Sequence, residues 1–380
     1  MKDFLPAEKQ YLALLSYGAS LKRPSAEEEA SLFGDELDWK GVYDLASAQG
    51  TVGVITDGIG CLRGPAAPVE DDIRLDPYLG DLLLIERRNR SLDGFIPKLF
   101  VSLLDAGLHP VLVKGQAIAR IYPVPSHRES GDIDVLLPPD EYYVAREILL
   151  PKATKVLDDL PEILHVGMYF GKVEVELHGT VSTLMSPRLD RRLAVLLEES
   201  FRRGGATETI DGKPVPVPDA DFNALYVFTH FLHHYWSEGV GFRQLLDWTL
   251  LLQSASGPDP QWLRSRLRQL RLLHLWEVFA GFAVEMFGAD PARLPLYRKV
   301  WKRKNRRITR YLIRCGNFGH AAPRPDRDKD AESYLQRKVR SFIRLVFIER
   351  LRHIRVFPLA SLRFFFGACR YGLRRLVKGE

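Results

Sequence analysis

Apolar residues recur at helical spacing along most of the chain, and the pattern changes character once, between residues 110 and 178. Before that stretch, Glu8–Leu21, Trp39–Gln49 and Asp81–Ala106 read as helices, the second behind the capping candidate Asp38. In the third, Leu82, Leu83, Ile85, Leu92, Ile96, Leu99 and Leu103 are among the apolar positions, and Gly94 and Pro97 are expected to kink or split it. Arg63–Pro68 reads as a loop. Helical spacing returns in Phe222–Trp236, Phe242–Gln253 and, after the loop Ser254–Pro260, Trp262–Phe287. His320–Ser333 reads as a polar linker, and the residues after Gln336 as basic helix.

Within the stretch 110–178, Pro110–Val113 predicts a short apolar strand and Gly115–Tyr122 a short helix. Gly131–Leu137 predicts a strand closed by Pro138-Pro139, and Glu141–Leu150 a helix. Met168–Phe170 and Lys172–Leu177 predict a hairpin around Gly171. Strands mixed with short helices make this a small α/β or α+β unit. We therefore expect an α+β fold in four parts. They are an N-terminal helical region (1–109), a core with a small mixed sheet (110–220), a second helical region (221–318), and a linker with a basic amphipathic tail (319–380).

The strand Gly131-Asp132-Ile133-Asp134-Val135-Leu136-Leu137 carries the chemistry. Side chains two apart on a strand share a face, so Asp132 and Asp134 project together while Ile133, Val135 and Leu137 can enter a core. Strands disfavour Asp, and two adjacent carboxylates repel. A divalent cation relieves that repulsion, and Mg²⁺ is typically held by one or two carboxylates plus substrate phosphates. Lys114-Gly115 lies at a strand end leading into a helix, where free N–H groups and a lysine can meet a phosphate. In Val173-Glu174-Val175-Glu176-Leu177-His178 both glutamates share one face, and either can complete a three-carboxylate site.

These segments together resemble a known group. Val111-Leu112-Val113-Lys114-Gly115, then Arg128 through Gly131-Asp132-Ile133-Asp134-Val135-Leu136, then Val175-Glu176-Leu177-His178 are similar to the polymerase-β-type nucleotidyltransferase superfamily. Within it they resemble a largely uncharacterised bacterial branch. Trp39–Gln49, Phe228–His234 and Phe242–Trp248 resemble that branch's flanking helices, so the resemblance spans about residues 39–253. It implies a polymerase-β-like core in which Asp132, Asp134 and Glu176 are the catalytic metal ligands for Mg²⁺ or Mn²⁺. It also implies that Lys114, Gly115 and Gln116 occupy the phosphate turn and that Arg128 contacts the triphosphate or the acceptor. The chain departs from the superfamily's Gly-Ser turn in placing Gln116 after Gly115. From the residues alone, Arg128 fits a structural ion pair equally well.

Composition narrows this picture only where charge is uneven. An apolar content of 46% and a charged content of 27% are those of an ordinary soluble protein. Cys61, Cys315 and Cys369 show no paired spacing, which points to a reducing compartment without a disulfide framework or zinc-cysteine site. No signal peptide is read at the N-terminus and no run of apolar residues is long enough to span a bilayer, so a cytoplasmic location is expected. His230, His233 and His234 share a helix face but lack a ligand at zinc spacing, so packing or pocket lining is the expected role. Arg243 and Asp247 are read as an i,i+4 pair.

The net charge of +6 combines an acidic body with a strongly basic C-terminal region: Arg293–Arg314 has ten Lys/Arg and no acid. Leu359, Leu362, Phe366, Cys369, Leu373 and Leu376 form an apolar stripe bordered by Arg363, Arg370, Arg374 and Arg375. The stripe is read first as docked on the chain's own domain. The alternative is peripheral contact of residues 336–380 with an anionic membrane at its inner face. Nucleic acid is disfavoured, because the body is acidic and no recognised module accompanies the charge. The expected function is Mg²⁺-dependent transfer of an NMP from an NTP, such as ATP, to an unidentified acceptor. The alternative is a non-catalytic binding or scaffold protein on the same fold.

Overall fold

The computed structural model describes residues 4–34, 36–181, 183, 185–237, 239–255, 257–299, 302–317 and 351–378. The expected linker His320–Ser333 and the first part of the basic tail lie outside the described residues.

The N-terminal region is helical. It comprises α1 (Pro6–Gly18), α2 (Ala26–Phe33), α3 (Trp39–Gln49) and α4 (Val52–Gly60). Asp38 caps α3, its carboxylate accepting from the Gly41 N–H at 2.9 Å, and Gly50 ends that helix in the left-handed conformation. Three glycines in α4 oppose helix formation, and the sequence reading missed it. Packing supplies the reason it forms. A Cβ on Gly58 would lie 2.1 Å from the Leu14 carbonyl oxygen, and one on Gly18 would lie 1.9 Å from that of Val54. The bare backbones let α1 and α4 touch.

Then comes α5 (Asp76–Leu104), a single helix of 29 residues that runs through both Gly94 and Pro97. A proline inside a helix costs about 3 kcal/mol. Leu92, Ile96, Leu99, Phe100 and Leu103 are all buried on this helix, and each contributes about 1.5–3 kcal/mol. Burial outweighs the proline, so the expected break does not occur.

The sheet has five strands in the order β1-β2-β5-β4-β3: β1 (Val111–Val113), β2 (Ile133–Leu136), β3 (Lys155–Leu160), β4 (His165–Phe170) and β5 (Val173–His178). The central pair β2–β5 is parallel and the other pairings are antiparallel. Between β1 and β2 lies the short helix α6 (Gly115–Ala119), and after β2 comes α7 (Pro139–Leu149). Ile133, Val135, Leu137, Val175 and Leu177 pack with the buried side chains of α5 in one core. A separate hairpin, β6 (Ala206–Ile210) and β7 (Lys213–Val217), adds Ile210, Val215 and Val217 to it. It follows α8 (Pro187–Arg203), which the sequence reading also missed.

The second helical region contains α9 (Ala220–Tyr235), α10 (Phe242–Gln253), α11 (Pro260–Leu270), α12 (Leu273–Phe287) and α13 (Lys302–Cys315), and the described C-terminal helix is α14 (Pro358–Lys378). The single helix expected over Trp262–Phe287 is two, α11 and α12, with Arg271 between them at φ 59°. Phe228, Trp248, Trp276 and Phe279 interlock in an aromatic core. Among the described residues no helix is long and apolar enough to cross a membrane.

Candidate functional site

Three strands deliver the polar side chains to one place. Register sets Val113 beside Asp134 and Asp134 beside Glu176, so β1, β2 and β5 align on one rung. Asp134 is only 2% exposed. Asp132 lies two residues earlier, just ahead of β2, and reaches the same spot. One oxygen from each of Asp132, Asp134 and Glu176 lies within 4.8 Å of the other two. Lys114 leaves the end of β1 with φ 56° and ψ −143°, a backbone conformation that side-chain-bearing residues rarely adopt. The turn carries its ammonium to 2.5 Å from Asp134 Oδ1. His178 approaches from the end of β5, its Nε2 donating to Asp134 Oδ1 at 3.0 Å and lying 3.3 Å from Glu176 Oε2.

Burial of so many charges sets the proton affinities. Desolvation first, then the negative field of Asp134, pushes the Asp132 carboxyl up to about 7. His178 is half-buried, which disfavours its charged form, but its bonds to Asp134 and Glu176 win and raise it to about 9. Glu176 is likewise half-buried, yet the bond and charge of His178 hold its carboxyl well below the usual carboxylate range. Lys114 stays ammonium against its own desolvation because Asp134 faces it.

Asp132 and Asp134 open on a cleft of about 50 Å³ whose far wall comes from α9 and α10, with Val227, His230, Arg243 and Gln244 among its lining. Arg243 is half-buried, donates from Nη1 to the Glu129 carbonyl at 2.7 Å, and leaves its buried Nε without a partner. Burial first, then the neighbouring charge of Arg128, lowers its proton affinity. Tyr226 and His230, one turn apart on α9, feel the Lys114 charge from the same wall.

Residues 35–288 match the model of a family described as uncharacterised nucleotidyltransferase. The chain belongs to that family. A nucleotidyltransferase-like antigenic protein of Paracoccidioides brasiliensis is a structural neighbour at 12% identity, covering 52% of this chain and 93% of that one with a TM-score of 0.32. No curated protein matches the chain.

In this member of the family the remaining residues singled out from the sequence fall into two groups. Lys114 and Gly115 line the cleft with Asp132 and Asp134. Arg128 also borders it, but its guanidinium is held by Asp247 through Nε at 2.8 Å and Nη2 at 2.7 Å, and Nη1 donates to Ser130 at 2.8 Å. Gln116 is buried, donates to Asp93 at 2.6 Å and accepts from the Ser130 hydroxyl at 2.8 Å. The expected Arg243–Asp247 pair is replaced by Arg128–Asp247, which Tyr122 joins by donating to Asp247 at 2.6 Å. Of the two glutamates on β5, Glu176 reaches the aspartates, while Glu174 accepts from the Tyr169 hydroxyl at 2.7 Å.

His230, His233 and His234 do not converge on one point: His233 meets the Thr183 carbonyl at 2.5 Å, and His234 meets His230 at 3.2 Å. A second grouping, His165 with Glu176 and His178, was not anticipated. His230 lines the cleft, in keeping with the packing or pocket-lining role expected of it; Tyr226 was not foreseen near the site, because nothing in its local pattern reports which wall it faces.

Proposed function

We propose that the chain is a metal-dependent nucleotidyltransferase that moves an NMP from an NTP to a hydroxyl or phosphate of its acceptor. The observation that carries this reading is the grouping of Asp132, Asp134 and Glu176, with Asp132 and Asp134 on a cleft also lined by Lys114 and Arg243, in a member of a nucleotidyltransferase family.

The donor set fits Mg²⁺ or Mn²⁺: three carboxylate oxygens lie close together, and burial, then the negative charge of Asp134, raises the proton affinity of Asp132. Asp132, Asp134 and Glu176 would hold the ion. When bound, it would supply charge neutralisation for the triphosphate and a more acidic acceptor hydroxyl. Lys114 and the half-buried guanidinium of Arg243 are the cations placed to hold phosphate oxygens. Glu176, whose carboxyl the bond and charge of His178 hold well below the usual range, suits the role of ligand.

One observation favours the second reading, a binding protein without turnover. Lys114 and His178 already neutralise Asp134 from two sides. The experiment is incubation of the full chain with each α-labelled NTP and Mg²⁺ or Mn²⁺. We expect label transfer or pyrophosphate release in wild type and a loss of at least about 10³-fold in Asp132→Asn and Asp134→Asn. Metal-dependent nucleotide binding in calorimetry supports the enzyme reading, and absence of both turnover and binding in a folded protein overturns it and supports the second.

A further inference from the structure

The helix α14 is apolar on two opposite faces. One faces the body: Phe364 packs on Trp236 with ring centroids 5.0 Å apart, the Trp236 indole donates to Ser361 at 3.4 Å, and a Cβ on Gly367 would lie 2.1 Å from the Met185 carbonyl oxygen. The other face points outward. Leu359 is 83% exposed, Leu362 40% and Phe366 65%, and their spacing of i, i+3 and i+7 makes them one continuous stripe. The outward face of a helix on a soluble protein is ordinarily polar. Three large apolar side chains in a row there mark a contact surface.

The charges that act on the arginine within the stripe are of one sign. Neither α11 nor α14 contains an Asp or Glu. Arg363, within the stripe, donates to the Arg271 and Leu270 carbonyls at 3.0 Å each, which ties α14 to the end of α11. Burial, then the nearby charges of Arg271 and Arg192, lower Arg363 to about 10, so three guanidiniums are gathered here. Arg370 is exposed one turn beyond Phe366.

We propose that this face, Leu359, Leu362 and Phe366 with Arg192, Arg271 and Arg370 around them, docks the protein on the anionic surface of a lipid bilayer. The apolar stripe enters the boundary between headgroups and acyl chains, and the arginines meet phosphate-bearing headgroups. Two features select this occupant. A nucleic acid offers arginine partners but no medium in which Leu359 and Phe366 leave water. A second copy of the chain, meeting this face across a two-fold axis, would set arginines against arginines. The docking is peripheral and reversible, with no part of α14 spanning the membrane.

The test is co-sedimentation of the full-length protein with phosphatidylcholine vesicles and with vesicles containing about 30% phosphatidylglycerol. Wild type is expected to bind the anionic vesicles at least about tenfold better than the neutral ones and to be released by high salt. Leu359→Ser/Leu362→Ser/Phe366→Ser is expected to lose about tenfold in binding, and Arg192→Gln/Arg370→Gln to lose binding together with much of its salt dependence. The altered side chains are exposed, and far-UV circular dichroism checks each variant; Phe366→Ser alone replaces the triple change if that one misfolds. Three results overturn the proposal. Wild type stays in the supernatant with anionic vesicles; the serine variant sediments like wild type; or the stripe proves to hold a solution dimer that the serine variant breaks, without vesicle binding.

Discussion

Asp132 and His178 make the site sensitive to pH in the same direction. Free aspartate titrates near 3.8, and folding raises Asp132 to about 7. Between those values the folded protein holds a proton that the unfolded chain has released. Its cost to stability is absent below 3.8, grows with pH and is complete above about 7. His178 rises from 6.5 to about 9, so its contribution is full below 6.5 and lost as pH rises through 9. The contribution of these two groups to melting without divalent cations is therefore expected to fall as pH rises from 4 to 9, while His230 and His353, whose charged forms burial disfavours, add the opposite slope below 6.5. Asp132→Asn should melt roughly 2–4 °C above wild type at pH 8 and level with it at pH 4. His178→Gln should flatten the fall between 6.5 and 9. A thermal-shift series in chelator across this range decides both, and identical slopes in all three proteins would remove the electrostatic account. Lys114 adds backbone strain to this cluster. Lys114→Ala is expected to cost about 3 kcal/mol by leaving Asp134 buried without its ammonium. Lys114→Gly, which accepts φ 56° without strain, should recover about 1 kcal/mol of that in urea melts. Asp132 and Asp134 were legible in the sequence because a strand's period of two shows which side chains share a face, whereas Glu176 was told from Glu174 only by the family resemblance. Which wall Arg243 and His230 stand on was not legible. They arrive on helices far along the chain, and no periodicity aligns a helix with a strand it meets only in three dimensions.

Between elements, one buried pair and one glycine notch hold the site's surroundings. Arg128 and Asp247 join the loop before β2 to α10, and both are nearly inaccessible. Removing either partner leaves a buried charge, so Arg128→Ala and Asp247→Ala are each expected to cost about 3–5 kcal/mol, while Arg128→Met/Asp247→Leu recovers much of it. A double-mutant cycle in urea measures the coupling, and additive losses would show that the pair does not act as a unit. On α4 the expectation splits between two glycines. Gly58→Ala drives a methyl into the Leu14 carbonyl and should cost about 1–3 kcal/mol. Gly60→Ala meets nothing within 4 Å and should be neutral or stabilise by about 0.5–1 kcal/mol. Helices with a regular apolar face, such as α3 and α10, were readable from sequence to within a residue or two. The α4 helix was not, because its stability comes from contact with α1 and its residues alone argue against it. The edge strand β3 was missed for a related reason: its residues are mostly exposed and show no alternation to read.

At the scale of the whole molecule, the sheet is finished by parts of the chain distant from it. The core beneath β2 and β5 includes Leu92, Ile96, Leu99, Phe100 and Leu103 of α5 on one side of the sequence and Ile210, Val215 and Val217 on the other. A fragment of residues 110–220 therefore exposes the α5-facing half of that core. It is expected to fail to give a cooperative urea transition on its own and to regain one when residues 76–220 are expressed together. The uneven charge was readable from composition. Which face of α14 turns outward was not, because its inner and outer rows are both apolar and only the position of Trp236 chooses between them. The long helix α5 has one more consequence, in time. Its apolar side leaves the ribosome some seventy residues before β5, its last central partner, is complete. At roughly 5–20 residues per second, Leu92, Ile96 and Phe100 wait several seconds with nothing to cover them. Ribosome-bound chains halted soon after residue 110 should then be the ones that holdase chaperones capture most strongly, and capture should fall once residue 178 has emerged.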